Sequence, residues 1–496
     1  MGEINSITER LLGLNRRTVG IWIGIVGGVL AGLVGLGIVV IGPVYTTAIL
    51  FGLLLGLYIL TDLEAALFLM LAVVALIPYG TLPFKIVITP SLLDLAIGAF
   101  LMVYVFQWMT GRRRLFRFTP VHGVVVLFAL ILLFSFLMGL RHAPLTNNIL
   151  KQFAEMLMAI AVALILPDVL RDERSLERLT RVVLVLAAGA ALIGIVLYVL
   201  PDALTENILV RFAPFGYPNG GVVRYVEDNP ELAERAIGMW IDPNSYGGVL
   251  AVLGAFLVPH LFSQRRLGMP RWAVTVALGL IGIALLLTFS RGSMLAFAGA
   301  MFFIAVMRYR RLLWVMIFAA VLVMILPVTQ AYVVRMIEGF QFADRATQMR
   351  VGEIRDALNL ISRYPLFGVG FSGTPTRDIY LGVANLYLTM AGNTGLLGLG
   401  TFFAMLATLF GYGLTAWRRA AIGRAVWEPY WLGAFAAIVA VLIAGVFDHY
   451  FFKLEFQASS AIFWVMIGLA LASSRLWLEH WRRASESGRL GGGRGA

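Results

Sequence analysis

Two arginines and a few carboxylates carry the chemistry that this sequence can offer. Arg291 stands in Phe289–Ser290–Arg291–Gly292–Ser293, between two apolar runs with almost no loop around it. An arginine at such a membrane edge is costly unless it snorkels or pairs with an anion. Its guanidinium presents rigid, paired donors suited to phosphate oxygens, and the flanking Ser and Gly let the backbone approach such a ligand. The alternative is a plain interfacial anchor. Arg235 precedes Asp242–Pro243–Asn244, which reads as a cap opening the next span with Pro in its first turn. Capping is the structural reading of Asp242 and Asn244, and contact with a substrate is the functional one. Helix N-termini favour anions, so Arg235, Arg291 and one helix end together could hold a diphosphate.

A second group lies further along. Pro365–Leu366–Phe367–Gly368–Val369–Gly370–Phe371 is a glycine-bearing turn. Asn385 and Tyr387 open a span that continues through Gly395–Leu396–Leu397–Gly398, and packing alone would account for these glycines. Asp448–His449 closes a late apolar run, where an interfacial polar pair is the plainer reading. The five histidines are scattered and there is no cysteine, no phosphate-binding loop and no His-Glu-x-x-His, so no metal site and no cofactor are expected.

The elements that must position these groups are membrane helices. Of 496 residues, 60% are apolar and 13% charged, against roughly half and a quarter in soluble chains. Mean hydropathy is +0.88. This excludes a water-soluble enzyme, a disordered regulator and a nucleic-acid-binding domain, although the net charge is +12. An open sheet cannot satisfy its backbone in lipid, so the expected fold is an all-α polytopic membrane protein of 12–14 transmembrane helices.

The expected organisation is a cytoplasmic segment 1–19, N-terminal spans 20–200, a first extracytoplasmic loop 201–242, and central spans 243–330. A second extracytoplasmic loop 331–383, C-terminal spans 384–474 and a basic cytoplasmic tail 475–496 complete it. Arginines clustered in alternate short segments put both termini in the cytoplasm. The two long loops, with short surface helices, then face outward. Residues 344–363 carry Met349, Ala357, Leu358 and Ile361 at helical spacing and predict a helix lying on the membrane. The seven acids of the first loop, Glu227 and Asp228 among them, suit either a solvated face or sugar hydroxyls.

The ordered set Arg-x-x-Gly…Asp-Pro-Asn, Ser-Arg-Gly, Pro-x-x-Gly-Val-Gly-Phe and Asn-x-Tyr-Leu…Gly-Leu-Leu-Gly resembles the O-antigen ligase and O-antigen polymerase superfamily of bacterial envelope glycosyltransferases. The resemblance covers about residues 230–475. It implies a metal-independent, inverting transfer of a glycan from undecaprenyl diphosphate at the outer face of the bacterial inner membrane. The acceptor would be a second lipid-linked glycan for a polymerase, or lipid A core or a protein for a ligase. Membrane lipid and a chain-length regulator protein are the further partners implied.

By motif, Arg235 and Arg291 match the arginines that engage the diphosphate, and Arg350 matches one that opens the surface helix. The sequence departs from the family at Ala384, where a His precedes the Asn, and at Asn393, where a Glu is common. The expected base is therefore missing: either Asp378, Glu353 or the Asp448–His449 pair takes its place, or the sugar hydroxyl loses its proton late and needs little base help, or the chain is inactive. A transporter or lipid flippase is the rival class, disfavoured because the span interiors hold few ionisable residues beyond Asp94, Lys151 and Glu155.

Overall fold

The structure, a computed structural model, describes residues 16–83, 89–263, 267–325, 330, 333–334, 337, 345–372, 383–419 and 423–492. Contacts divide the chain into two units, residues 1–65 and 66–496. The first holds α1 (Arg16–Ile41) and α2 (Pro43–Thr61), which pack on each other where Thr46 meets Gly37. α3 (Leu63–Leu76) straddles the division.

The second unit is a helical bundle. Its helices are α4 (Leu92–Met109), α5 (Pro120–Gly139), α6 (Asn147–Val169), α7 (Glu173–Val199), α8 (Asp202–Val210), α9 (Pro243–Phe262), α10 (Arg271–Leu287), α11 (Arg291–Met307), α12 (Arg311–Ile325), α13 (Arg345–Arg363), α14 (Leu386–Arg419), α15 (Arg424–Phe447) and α16 (Gln457–Gly492). Among the described residues nine helices are long and apolar enough to cross a membrane, and four shorter apolar ones accompany them. The chain is therefore an all-α polytopic membrane protein, as its composition predicts. The strand content found is one two-stranded ribbon, β1 (Arg224–Tyr225) antiparallel to β2 (Glu234–Arg235), inside the first long loop.

The centre of the unit is α9, α11 and α15, which pack on one another, with α16 against α6 and α15. α9 and α16 are buried on nearly all sides, and Trp431, Phe435, Phe256 and Trp477 are fully covered there. Helices that are apolar all round belong in such a position.

One expectation changes. The span at 384–414 is not one continuous helix. α14 is broken at Gly395, whose φ is +67° and whose Cβ, were there one, would lie 2.2 Å from the Leu366 backbone. The 365–371 turn fills the break. Val369 N donates to Gly392 O, Gly370 N to Asn393 O, and Leu396 N to Pro365 O, at 2.7–2.9 Å. Backbone groups freed in a membrane helix must find such partners. The helix α13 forms over the expected residues; Ala357 and Leu360 are buried in it, it packs on α14, and Leu358 is exposed. The side chain of Met349 lies outside the described residues.

Asp94 and Lys151, exceptional as charges within spans, pair at 3.1 Å. Asp94 is also the N3 residue of the Ser91 capping box that opens α4, so this carboxylate sits at a helix end.

Candidate active site

The Arg235 guanidinium is fixed by two bonds. Its Nε donates to Thr288 O at 2.8 Å, and its Nη2 to Asn244 Oδ1 at 2.6 Å. The backbone joins in, since Ala236 N donates to Leu287 O at 2.8 Å. The end of β2 is thereby stitched to the turn between α10 and α11. That turn holds Phe289 at φ +51°, a conformation uncommon for a bulky residue, and then starts α11 with Ser290 as N-cap and Arg291 as first residue. Non-glycine residues held there mark places that the surrounding structure over-determines.

Asp242 is the N-cap of α9, accepting from Ser245 N at 2.6 Å, with Pro243 in the first turn. The structure thus gives Asp242 the capping place, and Asn244 the further place of neighbour to Arg235. Asn244 also lies close to the Asp448 carboxylate. Asp448 caps the far end of α15 and accepts from His449 N at 2.8 Å. Burial pushes its carboxyl above the usual carboxylate range, while the His449 N–H, Arg350, Asn244 and Arg235 work against the rise. Asp242 is raised too, first by burial and then by the Asp448 charge.

Arg235, Asn244, Arg291, Arg350 and Asp448 all line one cavity of about 210 Å³, shared with Glu227, Asp228, Tyr225, Ser290, Ser293 and Tyr450. Five residues singled out from sequence are thus brought together from β2, α9, α11, α13 and the end of α15. The cavity is smaller than the roughly 300–1,000 Å³ of pockets that enclose a whole ligand. It suits a charged head group whose remainder lies outside.

The other described candidates are not in the lining of this cavity. Asn385 caps α14, accepting from Leu388 N at 2.9 Å, and donates its Nδ2 to Val446 O at 2.9 Å. Tyr387 donates its hydroxyl to Leu442 O at 2.6 Å. Both brace the end of α15 that carries Asp448. His449 packs its ring against Phe456, with Nδ1 3.4 Å from Asp448 Oδ1. Burial pulls its pKa down to about 4, with Lys453 adding to the fall, so the imidazole is neutral. Glu353 Oε2 accepts from Ala384 N at 3.1 Å, so a carboxylate stands at the position where the resemblance expects a His. Asp378 lies outside the described residues.

Sequence reasoning did not single out Tyr225, Ser293 or Tyr450. Tyr450, two residues after Asp448, fits only because Gly248 leaves it room; a Cβ there would lie 2.0 Å from the hydroxyl. The glycine pair in α9 was a signal of that close approach. Among the described residues no group of three His, Asp or Glu is placed to hold a metal ion.

Fold and site together define a polytopic helical membrane protein with an arginine-lined cavity where α9 and α11 begin. Residues 276–403 match the family model described as O-antigen ligase, which supports the resemblance to the O-antigen ligase and polymerase superfamily read from the motifs. The match spans the Ser-Arg-Gly turn, α13 and the broken start of α14; Arg235, Asn244 and Asp448 fall on either side of it. At that level the chain is similar to membrane glycosyltransferases. A comparison with curated proteins finds no match.

Proposed function

We propose that the protein is a glycan polymerase of the outer face of the bacterial inner membrane, moving a glycan from undecaprenyl diphosphate onto a second lipid-linked glycan by an inverting, metal-independent transfer. The observation that carries this is the convergence of three guanidiniums, Arg235, Arg291 and Arg350, with Asp448 around one cavity. The acceptor hydroxyl attacks the sugar C1 opposite the diphosphate. The C1–O bond breaks and the diphosphate leaves with its charge met by guanidinium donors, which act as a preorganised electrostatic clamp. The hydroxyl proton passes to a carboxylate. Asp448 is the candidate, since a raised pKa brings a carboxylate base closer to the working pH.

Ligation onto lipid A core or a protein is the second reading, favoured by the description of the matching family model. Incubation of the purified protein with an undecaprenyl diphosphate-linked oligosaccharide tests both. Wild type is expected to bind it and yield product of doubled glycan mass, and Arg291→Ala to do neither. Binding without doubling moves ligation to first place. No binding hands the lead to a transporter.

A further inference from the structure

A second, larger cavity lies at the opposite end of the same three helices. It measures about 320 Å³ and is lined by Phe262 and Ser263 where α9 ends, Arg308 and Tyr309 where α11 ends, and Arg424, Ala425, Glu428 and Pro429 where α15 begins. α9 has 20 residues, so at 1.5 Å per residue the two cavities stand roughly 30 Å apart, the thickness of a bilayer's hydrocarbon core. If one cavity lies at one lipid–water interface, the other lies at the head-group level of the other leaflet. Arginine-rich segments mark this end: Arg308, Arg310 and Arg311 follow α11, and Arg418 and Arg419 close α14.

The two guanidiniums are held with their Nε edges toward one buried carboxylate. Arg308 Nε donates to Glu428 Oε1 at 2.7 Å, and Arg424 Nε stands 3.7 Å from Oε2. Glu428 is 5% exposed, and both its Oε2 and Arg424 Nε lack a hydrogen-bond partner among the described residues. Arg424 is steadied further over the Trp417 ring and by its Nη2 on Trp417 O. The Arg308 and Arg424 side chains stay 47% and 39% exposed. Among the described residues the cavity thus carries two cations against one anion, oriented by that anion. Apart from Ser263, the rest of its described wall is apolar, from Pro429, Ala425 and the Phe262–Tyr309 ring pair with centroids 4.9 Å apart.

We propose that this cavity binds the phosphodiester head group of an acidic phospholipid in the leaflet opposite the arginine-lined active site. Guanidiniums take the phosphate oxygens, and the apolar wall takes the glycerol and the first methylenes. The occupant would tie together the ends of α9, α11 and α15, whose other ends carry Asn244, Arg291 and Asp448. A basic pocket between helices at the membrane edge suits a lipid phosphate better than a soluble anion, because the lipid brings the apolar part that the wall accommodates.

The test is native mass spectrometry of the delipidated full chain titrated separately with phosphatidylglycerol, phosphatidylcholine and soluble glycerol phosphate. Phosphatidylglycerol is expected to bind at concentrations at least about tenfold below phosphatidylcholine, which has the same phosphodiester but adds a choline cation that the two guanidiniums repel. The double variant Arg308→Gln, Arg424→Gln is expected to lose that preference. Ala425→Phe, which fills the cavity and keeps both arginines, is expected to lose it too, and it decides the matter if the double variant fails to fold. Unchanged preference in a folded variant, or equal binding of both lipids by wild type, overturns the proposal. Binding of glycerol phosphate as tight as that of phosphatidylglycerol overturns the lipid as its source.

Discussion

Arg235 and Asn244 are joined by a 2.6 Å bond from Nη2 to Oδ1, and the same side chain lies close to the Asp448 carboxylate. One neutral side chain thus stands between a cation and an anion at the rim of the cavity. It separates the charge that would meet the diphosphate from the charge that would take the proton.

Asn244→Ala is therefore expected to lower turnover at least about tenfold, the scale of losing a hydrogen bond to a charged group. Thermal unfolding should move little, because the Asp242 cap of α9 remains. Turnover equal to wild type at matched expression would remove Asn244 from the site.

Arg235→Lys keeps the charge but cannot make both bonds, to Thr288 O and to Asn244. Affinity for an undecaprenyl diphosphate-linked glycan should fall by about tenfold or more. Affinity at the wild-type level would mean that charge alone suffices there.

Asp448 has its carboxyl raised by burial. If it takes the acceptor proton, it must be ionised, so activity should rise with pH through an apparent pKa above the usual carboxylate range. Asp448→Asn should abolish activity while donor binding persists. A pH–rate profile unchanged by the substitution would pass the role to Glu353 or to a residue outside the described set.

His449 is held neutral, with its pKa lowered to about 4 by burial. Between about 6.5 and about 4 the unfolded chain binds a proton there that the folded chain does not. Its contribution to stability is therefore whole above pH 6.5 and is lost as pH falls toward 4. His449→Phe should flatten that part of the melting-temperature profile relative to wild type. Parallel profiles for the two would refute the assignment.

Gly395→Ala places a methyl group where the Leu366 backbone passes, at a φ of +67°. It should destabilise the protein by at least ~2 kcal/mol, from strain and overpacking together. A melting temperature unchanged by the substitution would show that the turn can withdraw from the break in α14.

The sequence by itself determined that this is a helical membrane protein, because apolar runs of bilayer length leave the backbone no other means of satisfying its hydrogen bonds. It also pointed to Arg235, Arg291, Asn244 and Asp448, because charged and amide groups at the ends of apolar runs stand out against their surroundings, and to Arg350 through the resemblance. Only the tertiary structure decided which of the candidates share a cavity. Asn385 and Tyr387, like Asn244, stand at the start of a span, yet their hydrogen bonds go to the carbonyls of Val446 and Leu442 and brace the helix end beside the cavity. The break in α14 was likewise decided in three dimensions, since Gly395 reads as a packing residue until the 365–371 turn is found lying in the gap. Local pattern records the solvent that each residue meets, whereas a site depends on which helix ends meet one another, and that is settled by packing between segments far apart in the chain.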